Sequence, residues 1–135
     1  SATEWFLSNY PESTKFSLKT IDFDGKILIT NPIAKKISKL TYNSQVFTMS
    51  QFWQQIVKTI NLNSKKLVIE AKSDQKIFSF AIVPLPDYGY INIYGRDITL
   101  EKNKEEQLRI LSLLAAELTS LHISSSGVGL STNSL

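Results

Sequence analysis

Between Lys65 and Arg96 the chain holds three apolar, β-rich runs joined by connections too short to carry a crossover. Residues 65–72 (KKLVIEAK) and 76–83 (KIFSFAIV) are separated only by Ser73-Asp74-Gln75. Pro84-Leu85-Pro86-Asp87 and Gly89 then lead into 90–96 (YINIYGR). A parallel pair needs a dozen or more residues between its strands, so these three run antiparallel. The two prolines remove ladder donors after Val83 and are expected to close the middle strand there. On strand 76–83 both faces are apolar, with Ile77, Ala81 and Val83 on one side and Phe78, Phe80 and Ile82 on the other. A sheet with one solvated face would alternate cleanly, so the outer face is expected to be covered, by the chain itself or by a second subunit.

The segments upstream supply the rest of an α+β domain with its helices on one face of the sheet. Residues 16–23 (FSLKTIDF) alternate Phe16 and Leu18 against Ser17 and Lys19, as a half-buried strand does. Asp24-Gly25 predicts a two-residue type I′ turn, and 26–30 (KILIT) the returning strand. Asn31-Pro32 reads as a helix start, because Asn caps free amides and Pro at the first helical position loses no hydrogen bond. Ile33, Ile37 and Leu40 follow at helical spacing, and a polar stretch around Thr41 to Gln45 ends that helix. Thr48 and Gln51 match a capping box, and Phe47 with Phe52 a hydrophobic staple. The helix they open carries Phe52, Trp53, Ile56, Val57 and Ile60 on one face and ends near Asn61 to Asn63. The expected architecture is therefore a five-stranded antiparallel sheet. Its expected core is Leu18, Ile27, Ile29, Ile37, Phe52, Ile56, Ile60, Ile69, Ile91 and Ile93.

Both ends of the chain read as flanking segments. Residues 1–11 hold Trp5, Phe6 and Leu7, an apolar cluster expected to form a short helix that docks. Residues 100–122 read as a long helix, in which Leu111, Leu114, Leu118 and Leu121 keep the 3, 4, 3 rhythm of a coiled coil. Leu108, Leu111, Ala115 and Leu118 fit a second register equally well. Residues 123–135 (ISSSGVGLSTNSL) are Ser/Gly-rich and read as a flexible tail or linker.

Composition narrows the chemistry. A chain of 135 residues with 42% hydrophobic and 20% charged residues is a foldable single domain. Its net charge of +3 is too small to point to nucleic acid or an anionic membrane. With no cysteine, disulfides, thiolate nucleophiles and Cys-ligated zinc are excluded, and a single histidine cannot build a His-rich metal site. No apolar run reaches the length of a membrane helix, no signal peptide is evident and no Asn-x-Ser/Thr sequon occurs, so a cytoplasmic location is expected. A small cone-shaped enzyme of isomerase type would need an Asp or Glu inside an apolar cavity. The acids lie instead at turns (Asp24, Asp74, Asp87) or on the last helix, and Glu70 alternates against Leu67, Ile69 and Ala71.

Three stretches in order carry a family resemblance. DFDGKILITNPIAKKI is similar to the opening of PAS sensory domains, with an acidic-Gly turn, a strand and an Asn-Pro helix start. FSFAIVPLPDYGYINIYGRDIT resembles their last two strands, and GRDITLEKNKEEQL their closing Asp-Ile-Thr signature and the charged helix after it. Together these span roughly residues 12–108, with the domain itself placed at 12–99. The resemblance implies a noncatalytic sensor and dimerisation module, feeding an output domain such as a histidine kinase of a two-component system or a cyclase. Asp97 and Thr99 would be the relay junction, and the space lined by Phe52, Trp53, Ile56, Ile91 and Ile93 the ligand cavity. It further implies a homodimer through the outer sheet face and the flanking helices. A pure protein-interaction PAS domain without ligand is the alternative.

Cofactors implied by the family do not fit these residues. Flavin and cinnamoyl photoreceptors of the family need a cysteine, and the chain has none. Haem sensors use a histidine of the domain's long helix, whereas His122 lies beyond the domain and lacks the flanking residues of a phosphoacceptor site. No cofactor is expected, a small noncovalently held metabolite remains open, and the protein is expected to be colourless.

Overall fold

The computed structural model describes residues 16–133, with side chains described as far as His122. The helix expected over 1–11, with Trp5 and Phe6, lies outside the described residues. The chain divides into two compact units, one ending at Thr99 and one beginning at Leu100.

The first unit is α+β. Its strands are β1 (Ser17–Asp22), β2 (Ile27–Thr30), β3 (Lys39–Tyr42), β4 (Gln45–Thr48), β5 (Leu67–Ser73), β6 (Lys76–Leu85) and β7 (Tyr90–Asp97). They form one antiparallel sheet in the order β2-β1-β7-β6-β5-β3-β4. Helix α1 (Pro32–Lys35) connects β2 to β3, and α2 (Met49–Thr59) connects β4 to β5.

Seven strands stand where five were expected, because the helix from Pro32 stops after one turn. Residues 39–48 then form a hairpin in which Leu40 pairs with Phe47 and Tyr42 with Gln45. Its loop is Asn43-Ser44, with φ of 50° and 63°. Positive φ at both loop residues is the type I′ geometry, which matches the twist of the two strands. Thr41, Tyr42, Val46 and Phe47 are aromatic or β-branched, and β3 gains a further ladder partner in β5, where Thr41 meets Lys72. Those tertiary bonds outweigh a short helical pattern that would be marginal alone. Leu40 is buried all the same, on a strand instead of a helix.

The first hairpin turns differently from the expectation. Only Gly25 has positive φ there, at 86°, and the loop between the strands has four residues, 23–26, instead of two. Asp22 closes it, with Oδ1 accepting from the Asp24 and Lys26 amides at 2.9 Å each. A bulge follows, because Thr20 pairs with Ile29 while Ile21 pairs with Ile27. Ile29 thereby lands on the outer face at 37% exposure, outside the expected core.

Strand β1 also faces the opposite way from its apolar alternation. Lys19 pairs with Ile93 and Ile21 with Ile91, so Lys19 and Ile21 share the core face, while Leu18 pairs with Tyr94 on the outer face. Leu18 and Ile21 are three residues apart, so one must point each way. Asn31 helps fix the register: its amide donates to the Leu18 carbonyl and its Oδ1 accepts from the Leu18 amide. The same Oδ1 accepts from Ala34 as the cap of α1, and Nδ2 donates to the Phe16 carbonyl. Strand β6 continues through Pro84, which pairs with Ile91. Strand β5 begins only opposite Ile82, so no ladder on that side needs the missing N–H.

The core lies between α2 and the sheet. The capping box of Thr48 and Gln51 forms as expected, and the Phe47 and Phe52 rings meet at 5.7 Å. Helix α2 buries Phe52, Trp53 and Ile56 against Phe78, Phe80, Ile82, Ile91 and Ile93. Of the other expected core residues, Leu18 and Ile37 are buried, and Ile27, Ile60 and Ile69 pack partly buried at the margin.

The second unit is a single helix, α3, which begins with Thr99 at the edge of the first unit and runs to Asn133. The backbone stays helical past His122, through the Ser/Gly-rich residues read as a tail. No proline interrupts that stretch, and extending a helix costs far less than starting one. Among its described side chains, Leu108, Leu111, Leu114, Leu118 and Leu121 are all exposed.

Gly25 and Gly89 share a left-handed backbone but differ in surroundings. A Cβ on Gly25 would lie 2.6 Å from the Gln54 Cα, whereas nothing stands within 4 Å of one on Gly89. Gly89→Ala is expected to cost about 1 kcal/mol, the price of the left-handed backbone alone. Gly25→Ala should cost at least about 2 kcal/mol more, since α2 must shift. Urea denaturation of the two variants checks this, and equal midpoints would contradict the contact between the first hairpin and α2.

Candidate functional site

The residues expected to act together fall into two places. Asp97 and Thr99 sit where β7 ends and α3 begins. The Thr99 hydroxyl donates to Asp97 Oδ1 and accepts from the Ile77 amide at 2.9 Å. The Thr99 amide also donates to Asp97 Oδ1, at 3.0 Å. Alongside them the Ile98 amide donates to the Ile77 carbonyl at 2.8 Å, with Ile98 itself buried. Asp97 thus satisfies the first helical amide, while Thr99 ties the helix start back to the beginning of β6. The Thr99 bonds, with a smaller contribution from Lys76, hold the Asp97 carboxyl below the usual carboxylate range. This contribution to stability is present at neutral pH and is lost as pH falls through the lowered value.

Phe52, Trp53, Ile56, Ile91 and Ile93 come together in the core, each under a tenth exposed. Edge-to-face contacts join Phe52 to Trp53 at 4.8 Å and Trp53 to Phe80 at 5.4 Å. These rings pack directly against one another. The Trp53 indole N–H is buried there with no partner, as is the Thr30 hydroxyl oxygen. An unmet buried polar group of this kind costs about 1–3 kcal/mol. Asn92 and Tyr94 lie half-buried on the outer face, where Asn92 bonds to Thr20 and Tyr94, and Arg96 is exposed beside them.

Two features escaped the sequence reading. Lys19 is 4% exposed on the core side of β1, between Thr30 and Ile93. Burial lowers its pKa from 10.5 to about 8. The sequence carries no signal of this, because alternation with Leu18 places Lys19 on the solvent face that lysines usually occupy. The second is an open cleft of about 510 Å³ at the Asp97 end of the sheet, lined by α1, the β5–β6 turn and the last residues of β7. A smaller depression of about 310 Å³ lies between the Asn43-Ser44 hairpin and α2.

Compared with models of known protein families and with curated proteins, the chain matches none. Among the described residues no Asp or Glu is buried, no cluster of three or more His, Asp or Glu gathers to hold a metal, and no helix is long and apolar enough to cross a membrane.

Lys19 yields a test with a definite sign. Its pKa is lower in the folded state, so the folded chain holds fewer protons between pH 8 and 10.5. Stability from this group therefore rises across that window. Lys19→Met should stabilise the protein at pH 7 by about 1–3 kcal/mol and flatten the rise. Urea midpoints at pH 7 and 10.5 measure both, and a lower midpoint for the variant at pH 7 would show that the ammonium has a stabilising partner.

Proposed function

We propose that this chain is a sensory and dimerisation module of PAS type. Changes at its sheet would pass through Asp97 and Thr99 into the helix that leaves it, toward an output domain such as a histidine kinase or cyclase. The observation that carries the reading is the bonding of Thr99. One hydroxyl links the end of β7, the start of β6 and the first residue of α3. Any displacement of β6 against β7 must strain or break a bond at the helix start, which is what a relay requires. The order of hairpin, capped Asn-Pro turn, helix, three-stranded meander and exit helix agrees with the family's order, and the β3–β4 hairpin is an addition to it.

The partner on this reading is a second copy of the chain. Five leucines of α3 stand 48–67% exposed over residues 108–121, in the coiled-coil rhythm. On the sheet, Ile77, Ala81 and Val83 form a half-buried apolar strip on the outer face. Burying a leucine side chain contributes about 1.5–3 kcal/mol, so several can offset the association entropy. The ring-to-ring packing around Trp53 favours the variant of this reading in which the core itself holds no ligand. The lack of any buried carboxylate among the described residues weighs against an isomerase-type enzyme.

Sedimentation of the full chain at tens of micromolar should show a dimer. Leu111→Asp with Leu118→Asp should convert it to a monomer while leaving the unfolding midpoint of the first unit unchanged. A monomeric parent chain would overturn the dimer. Thr99→Val, which removes the acceptor of the Ile77 amide, should cost about 1 kcal/mol and uncouple output in a fusion to a kinase. Full regulation by that variant would overturn the relay.

A further inference from the structure

The cleft beside Asp97 has a charge pattern that restricts what it can hold. Its floor includes Ile37 and Phe78, both buried. Its rim carries Lys36 at the end of α1, Asp74 and Lys76 at the β5–β6 turn, and Asp97 at the end of β7. All four rim residues are exposed. No ion pair joins any two of them, although the charge of Lys76 acts on Asp97 at longer range. Both hydrogen bonds to Asp97 fall on Oδ1, which leaves Oδ2 without one, and Asp97 lines the cleft.

Two ammonium groups and two carboxylates around an apolar floor select by elimination. A simple anion would meet Asp74 and Asp97 as well as the lysines, and a simple cation would meet the lysines as well as the acids. A purely apolar molecule would desolvate four charges and pair none of them. A molecule with both charges on a short frame and one apolar substituent answers every group. The geometry points to this cleft as a binding site for a small zwitterion of the α-amino acid class with an apolar side chain. The carboxylate of the ligand takes Lys36 and Lys76, its ammonium takes Asp97 Oδ2 and Asp74, and its side chain lies on Ile37 and Phe78. The cleft's volume is in the range of small-molecule sites. Because the ammonium would engage the carboxylate that holds Thr99, the site would supply the input that the sensor reading requires. That coupling rests on the sensor reading, and binding itself does not.

Amide resonances of the isotope-labelled full chain, titrated with L-leucine into the millimolar range, test the site. The single-charge analogues 4-methylpentanoate and isopentylamine serve as controls. L-leucine should shift the amides of Lys36, Asp74, Lys76 and Asp97 in a saturable way, and each analogue should bind about tenfold more weakly or worse. Lys36→Gln, at an exposed position, should weaken L-leucine about tenfold and leave resonances away from the cleft unchanged. No saturable shift, shifts centred elsewhere, or equal binding of either analogue would overturn the site. Hydrogen exchange at the Ile77 amide separates the two ideas. Slower exchange with L-leucine bound supports both the site and the relay, whereas cleft binding that leaves Ile77 exchange unaltered upholds the site and overturns the relay.

Discussion

The ladder between β6 and β7 sets the terms for everything around it. It runs without interruption from Phe78 opposite Asp97 to Leu85 opposite Tyr90, at the middle of the sheet. Because paired residues share a face, this register alone sends Phe78, Phe80, Ile82, Ile91 and Ile93 to one side. Helix α2 then has an apolar floor on which to place Phe52, Trp53 and Ile56. The same register brings the end of β7 beside the start of β6, which lets Thr99 reach the Ile77 amide. A one-residue slip would expose the core and dissolve the junction together.

The first unit tolerates polar groups in costly places. Lys19 lies on the core face and titrates well below an ordinary lysine, and the Trp53 N–H is buried without a partner. Asn31 is the counterexample, equally buried but bonded through every polar group it has on the side chain. The difference is geometric. Asn31 sits at the hinge between a strand end and a helix start, where free backbone groups abound. Lys19 and Trp53 sit against completed ladders and aromatic rings, where few remain.

On the proposed reading, sensing and relay meet at one end of the sheet and not in the middle of its core. Aromatic rings pack closely around Trp53, whereas the cleft beside Asp97 is open and lined by exposed charge. The relay bonds and the cleft share a single carboxylate, whose two oxygens face different tasks. Such an arrangement needs no large motion, because the bonded network at the helix start is short and directional.

Local chemistry was enough to determine several features from sequence. The capping box at Thr48 and Gln51, the Asn31 cap, the antiparallel order of the last three strands and the inward phase of Ile91 and Ile93 all follow from contacts within a few residues or from unambiguous alternation. The Asp97-Thr99 pair was singled out by the family resemblance, and the two lie only two residues apart. Tertiary structure decided the rest. Residues 39–48 carry a weak helical spacing and a weak strand alternation, and only the edge of β5 breaks the tie. The face taken by β1 depended on pairing with β7, because Leu18 and Ile21 make opposite demands. Lys19 was buried by that choice. The cleft joins residues from α1, the β5–β6 turn and β7, which no local pattern connects, so its charges acquire meaning only when the sheet has closed around them.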